Sequence, residues 1–470
     1  MANSASLAFT PDEQKPPFQT QDHDHSEINS SSQMYSENQE HPSEFSQLIT
    51  KLPSIANTDL EKNRTEIEQV LECELAGVTS WEFDAFKIEN LSNFSTLEVV
   101  GMRLFREFNV IQVLETDECT ALNWLRIIQT NYRRTNTYHN ATHASDVMQA
   151  TANFLTHSRC QKLLSPLDQA ACLISAAVHD VDHRGKTNQF LCNSFDPLAL
   201  LYNDKAVLEN HHAATAFRLT LELDSKFNIF LNLEEGQFKE LRAIVIEMVL
   251  ATEMSQHFDI VNKFIACASQ DEKWNDSSSE SIDGSGSFSD KRGSVVSDVK
   301  KFESVCDRRK STQRDPKQMA ENQKLLVSLT RRMIIKVSDI SNPVRPIKIG
   351  VKWTNRICEE YFLQTDDEKK ANLPLVMPTF DRTVCNVPKS QIFFIDYFVR
   401  DMVDAWSDFI NNDKMMKYLQ DNQNFWRRLS DRDATTLDDL ERVGEEEMEK
   451  CEFVNKKPEA SGAKVESISR

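Results

Sequence analysis

The run Ala170-Ala171-Cys172-Leu173-Ile174-Ser175-Ala176-Ala177-Val178 ends directly on His179-Asp180-Val181-Asp182-His183. Nine nearly apolar residues in succession read as a helix buried on all sides, which requires other elements packed around it. The charges at its end then need partners or a metal, because an unpaired ion in an apolar interior is costly. Imidazole nitrogen beside carboxylate oxygen suits a borderline or hard divalent cation. Two further segments offer the same donor types: Tyr138-His139-Asn140-Ala141-Thr142-His143 upstream, and Asp339 within Val337-Ser338-Asp339-Ile340-Ser341-Asn342-Pro343 downstream. A metal site assembled from separate helices is the expectation.

Apolar residues recur at three- and four-residue intervals from Trp81 onward. They run through Leu122–Ile128, Val147–Leu155, Leu167–Val178, Ala213–Leu221, Leu241–Leu250, Leu325–Val337, Trp353–Phe362 and Ile392–Ile410. Strand-like alternation is rare, and only 10 glycines in 470 residues argue against β-rich and Rossmann-type folds. The reading is therefore all-α: one compact domain of many short helices over about 75–435, with disordered tails. Residues 1–74 are low in complexity and too polar to offset their ordering entropy. A Ser-rich polar insertion occupies 268–318, and 436–470 read as a charged tail. Within the insertion, Lys291-Arg292-Gly293-Ser294 and Arg308-Arg309-Lys310-Ser311 place serine after a basic pair. Basophilic kinases favour that context, which makes Ser294 and Ser311 candidate phosphosites.

A net charge of −19 speaks against nucleic-acid binding, which rests on neutralising phosphates with Lys and Arg. An anionic substrate would need local positive charge, and metal ions supply it. The 10 cysteines form no CxxC pair, as expected of reduced thiols in a cytosolic protein. No apolar stretch approaches the roughly 18 residues of a membrane span. Nor does the N-terminus show a basic region followed by an apolar core, so the expected location is cytoplasmic.

His143, His179, Asp180 and Asp339 make a two-nitrogen, two-oxygen set suited to zinc. A second lone-pair set on Asp180 could reach another ion, one that keeps mostly waters, as magnesium or manganese does. Two metals about 4 Å apart activate a hydroxide and clamp a phosphoryl centre. His139, four residues before His143, is then placed to act as a general acid on a departing alkoxide. Phosphoester hydrolysis follows from this set, while the residues alone name no substrate.

The motifs Tyr138-His139-Asn140-x-x-His143, His179-Asp180-Val181-Asp182-His183, Asn188-x-Phe190-Leu191, Leu208-Glu209-Asn210-His211-His212, Ala251-Thr252-Glu253-Met254 and Ser341-Asn342-Pro343 occur in this order. Together they resemble the catalytic domain of the class I 3′,5′-cyclic nucleotide phosphodiesterases. The stretch Pro388-Lys389-Ser390-Gln391-Ile392-Phe393-Phe394 is most similar to the cAMP-specific type 8 members. The resemblance covers roughly 78–430 and implies hydrolysis of 3′,5′-cyclic AMP to 5′-AMP.

It implies residue roles as well. His139 becomes the general acid on the ribose 3′ oxygen, and His143, His179, Asp180 and Asp339 the zinc ligands, with Asp180 bridging to magnesium. Glu209 and Thr252 would hold metal-bound waters, and His183 would line the metal site. Asn188 and Met254 fall in the nucleotide pocket. Gln391 would hydrogen-bond the purine edge, Phe394 and Ile357 would clamp the base, and Asn342 would face adenine. From pattern alone Phe394 and Ile357 read as core packing. Arg184 stands where relatives commonly carry proline, and the sensory regions typical of type 8 relatives are not recognisable in residues 1–74. A catalytically silent cAMP-binding or scaffold protein, or an HD-type hydrolase for another nucleotide, stays as the alternative.

Overall fold

The apolar run lies in a helix whose start Ser165 defines. Its hydroxyl accepts from the Asp168 amide, the Asp168 carboxylate accepts from the Ser165 amide, and Pro166 fills the first turn. This reciprocal cap satisfies two amides that a helix start otherwise leaves unpaired. His179 caps the other end, and every residue from Ala170 to Val178 is buried.

The computed structural model describes residues 67–269 and 316–440, which are helical with no strand among them. Ser294, Ser311 and most of the three segments expected to be polar lie outside the described residues. In chain order the helices are α1 (67–75), α2 (Ala85–Leu91), α3 (Thr96–Glu107), α4 (Val110–Val113), α5 (Glu118–Thr130), α6 (Ala141–Leu155), α7 (Ser158–Leu163), α8 (Pro166–Val178) and α9 (Asn188–Asn193). They continue as α10 (Pro197–Tyr202), α11 (Val207–Leu221), α12 (Glu235–Ala251), α13 (His257–Ala268), α14 (Pro316–Asp339), α15 (Ile347–Lys370), α16 (Val387–Phe394), α17 (Arg400–Ile410) and α18 (Lys414–Asp431). Between α16 and α17 the backbone passes through a π-helical turn, Ile395–Val399. The apolar spacing over Ile392–Ile410 thus crosses an element boundary that periodicity does not reveal.

Helix α8 packs against α6, α12 and α14, and α14 continues onto α6 and α13. The core extends at both ends past the expected limits of 75 and 435. Leu71 and Leu75 of α1 pack on it, as do Leu437 and the buried Leu440.

Arg345, fully buried just before α15, holds the first helices to the last. It reaches Asp146 of α6 at 3.0 Å and the Trp81 carbonyl at 3.2 Å, and lies 4.3 Å from the Trp81 ring centre. Asn422 of α18 donates to the Arg345 carbonyl at 2.8 Å. Burial pushes the Asp146 carboxyl up while the Arg345 guanidinium pulls it down. Removing the cation leaves that carboxylate stranded, a change that typically costs about 3–5 kcal/mol. Arg345→Met is accordingly expected to lower the unfolding free energy measured by urea titration by that amount, with Arg345→Lys losing less.

Candidate active site

Three chain segments bring the metal-type donors together, each placed by local chemistry. Asn140 caps α6 by accepting from the amides of Thr142 and His143, which sets His143 in the first turn. His179 closes α8, and Asp339 closes α14. His143 Nε2 lies 3.3 Å from His179 Nε2, 3.6 Å from Asp180 Oδ2 and 3.2 Å from Asp339 Oδ1. His179 Nε2 lies 3.1 Å from Asp180 Oδ2 and 3.4 Å from Asp339 Oδ1.

These spacings test whether a cation fits. A tetrahedral centre with bonds of about 2.1 Å sets its ligand atoms about 3.4 Å apart, and the five separations straddle that value. His179 Nδ1 donates to the Ala176 carbonyl at 2.9 Å, because a carbonyl can only accept, which leaves Nε2 as the nitrogen that faces the cluster. Asp180 Oδ2 is buried without a hydrogen-bond partner. Burial opposes the charge on Asp180 and Asp339, yet the neighbouring imidazoles, His179 for Asp180 and His143 with His179 for Asp339, hold both carboxyls below the usual range. Four convergent donors with one orphaned oxygen fit a divalent cation.

The other oxygen of Asp180 faces His212 Nε2 at 3.7 Å, and Asp180, His183 and His212 form a second group of convergent donors. His212 Nδ1 donates to the Val181 carbonyl at 2.7 Å, and burial brings its pKa down to about 4, so the ring is neutral. His212 did not figure among the expected site residues. Asp182, which carried no expected role, anchors the whole turn. It sits in the left-handed region at φ 58° and accepts from Arg133 Nε and His211 Nε2, both at 2.8 Å.

His139 borders the cavity above this cluster and stacks on His183, ring centres 3.9 Å apart. Its Nδ1 pairs with Glu360 of α15, whose Oε2 also accepts from the amides of Tyr138 at 3.0 Å and His139 at 3.1 Å. Burial works against a charge on His139, but Glu360 outweighs it, aided by Asp180 and Asp339, and lifts the pKa to about 9. Glu360 is itself held down to about 2, its burial overcome by His139. Asn136 ties the two histidine motifs, donating to the carbonyls of His139 at 2.8 Å and His183 at 2.9 Å. A side chain at Gly185 would meet Asn136 Oδ1 at 2.8 Å with φ at +65°, so this turn needs glycine.

Asn188 donates to both Glu209 oxygens at 3.2 and 2.9 Å, and burial lifts the Glu209 pKa to about 7. The Thr252 hydroxyl turns back to the Val249 carbonyl at 2.8 Å. A cavity of about 1260 Å³ is bordered by His139, Asp180 and Asp339 and also by Gln391, Phe394 and Ile357. Asn188, Glu209, Thr252, Met254, His183 and Asn342 border it too. His143 and His179 lie beneath, buried. The Gln391 carbonyl oxygen accepts from the Thr354 hydroxyl at 3.3 Å, leaving its amide NH2 free to donate elsewhere. Asn342 donates to the Tyr138 hydroxyl at 2.6 Å. The expected pocket residues thus border one cavity together with His139, Asp180 and Asp339, while His143 and His179 lie beneath it; Glu360 and His212 border it as well.

Comparison with known proteins converges on the same reading. The family model for 3′5′-cyclic nucleotide phosphodiesterase matches residues 138–421. The high affinity cAMP-specific and IBMX-insensitive 3′,5′-cyclic phosphodiesterase 8 of Drosophila melanogaster is 41% identical over 363 residues, covering 77% of this chain and 35% of that protein. The Homo sapiens 8A protein is 44% identical over 351 residues, covering 75% of this chain and 39% of its own length. The chain therefore spans little more than a third of the curated relatives it matches. The phosphodiesterase domain of the Salpingoeca rosetta RhoPDE fusion protein superposes with a TM-score of 0.58 at 28% identity, over 76% of this chain and 96% of that domain. With the donor cluster, the histidine at its edge and a matching family model over more than half its length, the chain belongs to the 3′,5′-cyclic nucleotide phosphodiesterase family.

Proposed function

We propose that this chain hydrolyses 3′,5′-cyclic AMP to 5′-AMP, with Zn2+ at the four-donor cluster and Mg2+ or Mn2+ sharing Asp180. The observation that carries the reading is the single cavity bordered by both the charged cluster and the Gln391, Phe394 and Ile357 surface. Cations held there would supply Lewis acidity toward phosphoryl oxygens and would lower the pKa of a bound water. The chain's own residues do the rest. Gln391, its carbonyl engaged by Thr354, offers its amide to the purine edge, and Phe394 and Ile357 enclose the base. Asn342, steadied by Tyr138, faces the adenine side. His139, its Nδ1 committed to Glu360, delivers a proton from Nε2 to the ribose 3′ oxygen as the P–O bond breaks. Glu209 and Thr252 orient water around the cluster, and His183 supports the His139 ring.

The test is an initial-rate assay of the purified full chain on cAMP and cGMP with zinc and magnesium supplied. Hydrolysis of cAMP with cGMP disfavoured is the expected result. Binding of cAMP without turnover would point to a silent binder, and turnover of another nucleotide alone to a different hydrolase; either overturns the reading. Chelation is expected to abolish turnover and lower the melting temperature, restored by adding back the ions. A ligand at a hundred times its Kd stabilises the folded state by about 2.7 kcal/mol.

No helix among the described residues is long and apolar enough to cross a membrane, and a cytoplasmic location belongs to the same proposal. So does a cAMP-dependent kinase acting on Ser311 or Ser294. Mass spectrometry after kinase treatment showing neither site phosphorylated would remove that partner.

A further inference from the structure

Two stretches that belong to separate loops, 185–188 and 376–380, border the same cavity. Both are fastened to one pair of side chains on α15. Gln364 and Glu368 lie one helical turn apart, each 1% exposed. Gln364 Oε1 accepts from the Thr187 amide at 2.8 Å, while its Nε2 donates to Thr187 Oγ1 at 3.1 Å and to Glu368 Oε1 at 2.8 Å. Glu368 Oε2 accepts from the Val376 amide at 3.1 Å.

The fastening continues on the side of residues 185–188. Thr187 caps α9, accepting from the Phe190 amide at 3.3 Å. The next residue, Asn188, holds the Glu209 carboxylate and accepts from the Leu208 amide at 2.8 Å. Lys186 adds bonds to the Leu363 carbonyl at 3.3 Å and the Asp367 carboxylate at 2.6 Å.

A buried polar pair is expensive unless every group is satisfied, and apolar residues of similar volume would fill the same space more cheaply. What the pair supplies beyond packing is direction: it fixes the Thr187 and Val376 amides, one from each wall of the cavity. None of its hydrogen bonds touches the donor cluster, His139 or Glu360. On the basis of the proposed cAMP hydrolysis, we propose that Gln364 and Glu368 are positioning residues of the nucleotide pocket. They hold its two walls at a fixed separation, and so set substrate affinity rather than the chemical step.

Replacing either by leucine strands the amides it satisfied, and loss of such a bond is expected to raise KM for cAMP roughly tenfold with kcat within about twofold. The polarity-swapped double variant Gln364→Glu with Glu368→Gln can remake the set. A carboxylate at 364 accepts from the Thr187 amide and hydroxyl and from the amide NH2 at 368, whose carbonyl oxygen then accepts from Val376. It is expected to return KM to within about threefold of the starting protein. Hydrogen exchange at 185–190 and 374–380, measured on the full chain, should accelerate in Gln364→Leu and recover in the double variant. Unchanged KM in folded Gln364→Leu, parallel loss of kcat and melting temperature, or a double variant no better than the singles would overturn the positioning role. A starting protein that turns over no cAMP would sink the functional reading instead. Exchange would still decide whether the pair holds the walls.

Discussion

Asp180→Asn is expected to lower cAMP turnover by at least about a thousandfold, equivalent to about 4 kcal/mol of lost transition-state stabilisation. The substitution is nearly isosteric, so the loss comes from chemistry and not from a cavity. Asp180 is the one residue common to both groups of convergent donors. One oxygen lies 3.1 Å from His179 Nε2 and 3.6 Å from His143 Nε2, and the other 3.7 Å from His212 Nε2. An amide in its place carries no charge and presents at most one oxygen to two sites. His179→Ala removes a donor from one group only, but the residue is fully buried, so part of its effect will be structural. The pair of variants therefore separates the two contributions. Metal content should fall in both, while His179→Ala adds a cavity penalty to the melting temperature of the metal-free protein that the nearly isosteric Asp180→Asn does not carry. A surviving rate above a few per cent in Asp180→Asn would reject its role as a metal ligand.

The legible part of this site is the part written in short, self-contained segments. The apolar run before His179 specified a buried helix, and donor chemistry at helix ends pointed to a metal, because both depend on residues near one another in sequence. Glu360 was not legible, since its partners Tyr138 and His139 lie 222 and 221 residues away. Asp182 was missed for a related reason: its role is to hold a left-handed turn through Arg133 and His211, which only the folded chain brings near. One signal was available and unused. Glu360, Gln364 and Glu368 repeat every four residues within α15 and are all buried, a polar stripe where an ordinary amphipathic helix would bury apolar residues. Phe394 and Ile357 looked like core from their pattern and are indeed half-packed against it, so only the family resemblance separated them from ordinary packing residues.

Glu360→Gln is expected to cut kcat by about 10- to 100-fold at pH 8 and to do less harm at pH 6. Fixing a catalytic imidazole through its far nitrogen is typically worth that range. The pH dependence follows from the balance on His139. Burial disfavours its charged form, and Glu360 is the largest influence opposing burial, raising the pKa to about 9. Cations bound at Asp180 and Asp339 cancel what those carboxylates add, but they leave Glu360 in place. The acid form of His139 thus persists to higher pH only because of Glu360. A neutral glutamine still accepts at Nδ1 but carries no charge, so burial prevails and the alkaline limb of the kcat profile moves to lower pH. His139→Asn should lose about 10²- to 10⁴-fold with no alkaline limb of this origin left to move. Stability obeys the same sign. A histidine raised from 6.5 to about 9 adds stability that is complete below pH 6.5 and disappears as pH climbs through 9, so the two proteins should melt closer together at alkaline pH. An unshifted alkaline limb in Glu360→Gln would show that another group sets the protonation of the departing oxygen.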